Sequence, residues 1–169
     1  MGRESGCGLL FRDNQAAQRR PSNHGGFLFS ESTLPEGLIQ AYRQTEYRVL
    51  GPDPLVLFVG IANPELLALL QAHSATCAAF ITACNPFSRE LRPADNQLRQ
   101  LEFGKELSLR RLEYLEGIGQ HPNSDWPGEP SFFVLGLELE EAKSLGRALE
   151  QNAIIWCDAT GVPDLVLLR

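Results

Sequence analysis

Two short segments hold most of the side chains with which this sequence could recognise or transform a ligand. The first is the run AFITACNPFS over residues 79–88, apolar through Cys84 and then abruptly polar. Asn85 offers both a donor and an acceptor and Ser88 a hydroxyl, at the carboxyl end of a strand-like stretch where scaffolds commonly hold ligands. Asn96 and Arg99 follow at the start of a helical pattern, so Asn85, Ser88, Asn96 and Arg99 can form one polar cluster. The second segment is DWPGEPS over residues 125–131, within a Pro-rich irregular stretch that also carries His121. There Trp126 can close over a planar ligand, and Glu129 can act as a general base or as the anchor for a ligand amine. Gln151, just after the last helical pattern, completes the set, and Asn152 beside it reads as a helix-ending cap. Plainer roles fit the same residues: Asn-Pro and Ser form turns, Trp126 can seal a core edge, and Glu129 can bond backbone N–H groups.

Conventional catalytic signatures are missing. Ser88, His121 and Asp125 can be drawn as a triad, but no GxSxG elbow marks the serine. His24, His73 and His121 share no metal-ligand spacing, and the Leu-rich surroundings of His73 suit a satisfied buried imidazole. Neither GxGxxG nor a P-loop occurs, and the Gly117–Gly119 pair is too little to count as one. No cofactor, metal or catalytic residue is therefore assigned.

The elements that must position these residues alternate along the chain. Residues 1–32, polar and aperiodic, read as a flexible leader, and residues 33–169 as one α+β domain. A helix is expected to start at Thr33, capped by that residue with Glu36 three positions on. Strands are expected over 46–50, 55–59 and 77–84, the second of them covered on both faces because it is continuously apolar. Asn63 and Pro64 open a helix whose inner side is Leu66, Leu67, Leu70 and His73. A longer helix over 95–115 is apolar on two sides, Leu98–Leu101–Leu109–Leu112–Leu115 and Phe103–Leu107–Tyr114. It either breaks at Gly104 or turns its second side to another element or subunit. A weak strand over 115–119, a strong one over 131–135, a helix through Leu139, Ala142, Leu145 and Leu149, and an antiparallel pair over 153–157 and 165–168 complete the domain. The expected fold is a single mostly antiparallel or mixed sheet with helices packed on it. The order strand, strand, helix, strand occurs twice, over 46–84 and 115–157, as a duplication or as the ordinary alternation of such folds.

A chain of 169 residues with 43% hydrophobic and 21% charged content can bury a core without disulfides or metals. Its net charge of −6 argues against a nucleic-acid backbone as partner, and acidic residues are interleaved with the arginines between 89 and 111. Cys7, Cys77, Cys84 and Cys157 show no CxxC spacing and suit small buried side chains in a reducing compartment. The apolar stretch at residues 8–11 is too short for a signal peptide, and no stretch is long enough for a membrane span. A cytoplasmic protein without membrane contact is expected.

Four segments resemble a bacterial family catalogued as domain of unknown function 3293: YRQTEY over 42–47, FITACNP over 80–86 with Ser88 and Asn96, WPGEPS over 126–131, and QNAIIW over 151–156. The resemblance covers residues 33–169. In that family an aromatic often precedes the Asn-Pro pair, where this chain has Cys84. The family has no assigned activity, so the resemblance implies positions rather than a mechanism. The residue chemistry favours a domain binding a small polar or planar ligand, such as a nucleotide or amino-acid derivative, because amides outnumber titratable groups among the candidates. A hydrolase or transferase with Glu129 or Asp125 as general base is one alternative. A protein–protein module, or a contact with a second copy, through helix 95–115 is the other.

Overall fold

Seven strands form one antiparallel sheet in the computed structural model, which describes residues 32–169. The strands are β1 (Glu46–Val49), β2 (Leu55–Leu57), β3 (Ala78–Ile81), β4 (Tyr114–Gln120), β5 (Glu129–Leu135), β6 (Ala153–Cys157) and β7 (Asp164–Leu167). Four α-helices accompany them: α1 (Glu36–Gln44), α2 (Pro64–Ala72), α3 (Pro93–Leu109) and α4 (Leu139–Ala148). The spatial order is β2-β1-β4-β5-β3-β6-β7, with every pairing antiparallel. This is the expected α+β architecture. The expected leader lies outside the described residues except for Ser32.

Strand alternation sorts the core onto both faces of the sheet. Phe80, Phe133, Leu135 and Ile155 point to one face and meet Leu66 and Leu70 of α2. Ala79, Ile81, Val134 and Ile154 point to the other and meet Phe103 and Leu107 of α3 with Ala142 and Leu145 of α4. The element order strand, strand, helix, strand does occur twice, but the two sets are interleaved in the sheet, since β4 and β5 separate β1 from β3.

Several elements differ from the sequence reading, each for a local reason. Thr33 does not cap α1: Pro35, held at φ −58° and ψ 137°, precedes the first turn and accepts from the N–H groups of Leu38 and Ile39. Strand β2 is an edge strand, so Leu55 and Leu57 are buried on the α2 side while Val56 is only half-buried. Asn63 caps α2 as expected, accepting from Glu65 and Leu66 N–H, with Pro64 at the first position. His73 is half-buried rather than buried, and its Nδ1 meets Glu113 Oε1 at 2.6 Å. Helix α3 runs unbroken through Gly104, which is buried because a Cβ there would come within 3.3 Å of the Phe132 ring. It ends at Leu109, and Leu98, Leu101 and Leu109 are left exposed. The weak strand expected at 115–119 is the seven-residue β4, in the middle of the sheet.

Gly117 explains why β4 looked weak. A Cβ at Gly117 would fall 2.5 Å from Phe80 Cε2 and 2.8 Å from the Arg48 carbonyl, so only glycine admits the Phe80 ring there. Phe80 in turn packs edge-on against Tyr47, with ring centroids 5.4 Å apart. That aromatic pair forms part of the floor of the cavity described next.

Candidate functional site

Topology brings three chain segments to one end of the sheet. β3 is flanked by β5 and β6, both antiparallel to it, with Ile81 opposite Phe132 and Phe80 opposite Ile155. The carboxyl end of β3 therefore meets the amino ends of both neighbours. Asn85 leaves the first, Glu129 opens the second, and Gln151 and Asn152 lead into the third. Helix α1 lies over the same end and contributes Leu38, Ala41 and Tyr42 to a cavity of about 320 Å³.

The turn that carries Asn85 is conformationally unusual. Asn85, Phe87 and Ser88 have φ values of 46°, 54° and 55°, in the left-handed region that non-glycine residues seldom occupy. Hydrogen bonding holds them there. Asn85 N–H donates to Asn96 Oδ1 (2.8 Å), while Asn85 Oδ1 accepts from Asn96 Nδ2 (2.8 Å) and from Leu91 N–H (2.9 Å). Phe87 N–H donates to the Glu150 carbonyl at 2.7 Å, and the Arg169 guanidinium stacks 4.7 Å over its ring. Ser88 Oγ accepts from Asn152 Nδ2 at 3.0 Å and shares a 2.7 Å hydrogen bond with the Tyr42 hydroxyl.

Glu129 is the polar centre of the cavity wall. Its Oε1 accepts from Asn85 Nδ2 at 2.6 Å and from the Trp126 indole N–H at 2.9 Å. No hydrogen bond from the described residues reaches Oε2, which leaves that oxygen as an open acceptor. Burial raises the Glu129 pKa above the ordinary carboxylate value, and the bonds from Asn85 and Trp126 oppose that rise. Gln151 is similarly half-committed: Nε2 donates to the Cys84 carbonyl at 3.0 Å, while Oε1 receives nothing from the described residues.

Of the seven residues expected at a site, Asn85, Ser88, Trp126, Glu129 and Gln151 line this one cavity. Asn96 and Arg99 do not. Asn96 holds Asn85 in place, and Arg99, reaching from α3, donates to the Ala83 carbonyl at 2.7 Å and the Leu149 carbonyl at 2.9 Å. Asp125 is exposed and outside the cavity lining. No triad assembles: Ser88 is engaged with Tyr42 and Asn152, while the His121 ring is bonded to Gln44 Oε1 and to Asn123 N–H. Asn152 is not the left-handed helix cap. Glu150, at φ 61°, takes that position, and Gln151 N–H closes the turn on the Gly146 carbonyl. The free cysteines Cys77, Cys84 and Cys157 are buried, and burial raises the pKa of each. No group of three or more His, Cys, Asp or Glu among the described residues is placed to hold a metal ion. No described helix is long and apolar enough to cross a membrane.

Sequence reasoning missed the contribution of α1. Leu38 and Ala41 roof the cavity; α1 is as amphipathic as α4, yet no residue of it is buried, so its stripe marks a side that faces the protein without marking a cavity beneath it.

Residues 81–154 match the family described as Protein of unknown function (DUF3293). The resemblance read from the sequence is borne out on that segment. All seven expected site residues fall inside it, whereas Tyr42 and the rest of α1 fall outside. No curated protein and no solved structure matches the chain.

Proposed function

We propose that this domain binds a small polar or planar ligand in the cavity beneath α1, with Asn85, Ser88, Trp126, Glu129 and Gln151 as its polar contacts and Asn96 and Arg99 as the frame behind them. The observation that carries this reading is Glu129, a half-buried carboxylate on the wall of a partly enclosed, mostly apolar cavity, with one oxygen committed and the other without a hydrogen bond from the described residues. A volume of about 320 Å³ lies at the lower end of the roughly 300–1,000 Å³ typical of small-molecule sites. Trp126 lines the cavity at its exposed side, in position to close over a planar group.

A hydrolase or transferase would use the same pocket with Glu129 as general base, since Asp125 is exposed and does not line it. Recognition fits better, because the other polar groups on the wall are amides and hydroxyls. The interaction-module reading draws support from Leu98, Leu101 and Leu109, which are 56%, 56% and 85% exposed on α3. These are the reverse of the side whose exposure would have favoured it most, as Phe103 and Leu107 are buried.

A thermal-shift screen of the full chain against nucleosides, amino acids, amines and common metabolites tests the ligand reading. The expected result is stabilisation by one class, lost in Trp126→Ala and Glu129→Gln. Stabilisation that survives both variants would place binding elsewhere.

A further inference from the structure

We infer that the cavity is built for a protonated amine on a compact apolar or aromatic body, with the ammonium N–H groups directed at Glu129 Oε2 and Gln151 Oε1. This rests on the reading of the cavity as a ligand site and names the ligand's chemical class. Most polar atoms on the cavity wall are already committed within the fold. Thr45 Oγ1 donates to the Ala41 carbonyl, Tyr47 OH to the Tyr42 carbonyl, Thr82 Oγ1 to the Pro130 carbonyl and Ser131 Oγ to the Glu129 carbonyl, so those hydroxyl protons are spent. Both ring nitrogens of His121 are engaged. Asn85 has its oxygen doubly occupied and one of its two amide N–H groups on Glu129. On the inner wall, among the described residues, this leaves Glu129 Oε2 and Gln151 Oε1 as open carboxylate and amide acceptors, hydroxyl oxygens that can only accept, and as spare donors one Asn85 N–H and one hydroxyl proton of the Tyr42–Ser88 pair.

Charge points the same way. Among the described residues no Lys or Arg lines the cavity, and Glu129 is the one carboxyl group that does. A phosphate or carboxylate entering this space would meet open acceptors and no cation from the described residues, and two spare donors would offset little of its lost hydration. Nucleotides and free amino-acid carboxylates are therefore disfavoured. An ammonium finds a charge-assisted acceptor at Glu129, while Trp126, Tyr42, Tyr47 and Phe80 offer aromatic surface to the body or to the cation itself.

The test uses the wild-type full chain and ligand sets matched in shape but not in charge: tryptamine, 3-ethylindole and indole-3-propionate, and likewise phenethylamine, propylbenzene and 3-phenylpropionate. Binding is followed by amide chemical-shift titration. The amine of each set is expected to bind at least about tenfold more tightly than its acid. Glu129→Gln, which keeps an acceptor for Asn85 and Trp126, is expected to lower amine affinity at least about tenfold with little change for the neutral member. Acids binding as tightly as amines, or amine affinity unmoved by Glu129→Gln, would overturn the amine assignment and leave the ligand site standing. If no member perturbs residues of the cavity, the ligand reading falls as well, and the assignment with it. The comparison on the wild-type chain decides the matter even if the variant does not fold.

Discussion

Replacing Asn85 with alanine removes three hydrogen bonds at once: the one donated to Glu129 and the two accepted from Leu91 N–H and Asn96 Nδ2. The first is charge-assisted when Glu129 is ionised and contributes roughly 1.5–3 kcal/mol; the neutral bonds contribute roughly 0.5–1.5 kcal/mol each. Their sum is about 4 kcal/mol, a large part of the roughly 5–15 kcal/mol that stabilises an ordinary domain. Alanine must also sit at φ 46°, which adds about 1 kcal/mol that glycine would avoid. Urea unfolding of the full chain should therefore order the stabilities as wild type, then Asn85→Gly, then Asn85→Ala.

A second readout separates the Glu129 bond from the other two. Burial raises the Glu129 pKa, so near the ordinary value of 4.5 the folded protein holds this carboxyl mainly protonated, and at pH 7 more of it is ionised. The charge-assisted part of the Asn85 contribution is present at the higher pH and lost as pH falls through the folded pKa. Ionisable side chains near Glu129 are Tyr42 of α1, Tyr47 of β1, Cys84 after β3 and His121 after β4. Burial holds Tyr47 and Cys84 neutral throughout this interval. The penalty of Asn85→Ala should accordingly be about 1 kcal/mol larger at pH 7 than near pH 4.5. A loss below about 1 kcal/mol at pH 7 would refute the idea that Asn85 fastens this end of the sheet. A penalty that does not grow with pH would refute an ionised Glu129 as its partner.

Glu129→Gln should leave the fold intact and raise its stability relative to wild type more at pH 7 than near pH 4.5. A carboxyl whose folded pKa is raised destabilises the fold only above its unfolded pKa, and chemical unfolding at the two pH values checks this. Trp126→Phe keeps an aromatic wall but deletes the 2.9 Å bond to Glu129, so melting should change by no more than about 3 kcal/mol in free energy while ligand affinity falls. Gly117→Ala should be the most damaging small substitution in β4. Its methyl would overlap Phe80 and the Arg48 carbonyl, at a cost of about 1–3 kcal/mol read from urea unfolding.

The apolar runs of β3, β5 and β6 and the amphipathic stripe of α4 were legible because burial on a sheet or helix imposes a period that the chain must carry. The two-sided α3 was not, since its leucines outnumber its core contacts. What decides the buried side is Gly104 between Phe103 and Leu107, which lets the Phe132 ring approach, and that is a tertiary fact. β4 was underestimated for the same reason: its glycines lower strand propensity locally, and Gly117 is required globally by Phe80. At the site, each candidate could be recognised as a strand-end residue, but nothing local says that β3 is inserted between β5 and β6. That insertion is what gathers Asn85, Glu129 and Gln151 and turns Asn96 and Arg99 into supports.

The geometry of the Asn85–Ser88 turn bears on why these residues are there at all. Three of its four residues hold left-handed backbone angles without glycine, each at a cost that a Gly-containing turn would escape. The compensating contacts come from three separate segments: Asn96 of α3, Glu150 and Asn152 of the connection between α4 and β6, and Tyr42 of α1. A connection serving only to join β3 to α3 has no need of such anchorage. One that must aim the Asn85 amide at Glu129 while turning the Ser88 hydroxyl toward Tyr42 does, because both side chains leave the same short turn toward different walls of one cavity. Strain maintained by bonds from this many elements is accounted for by the placement of those two polar groups, and the stability difference between Asn85→Gly and Asn85→Ala measures it directly.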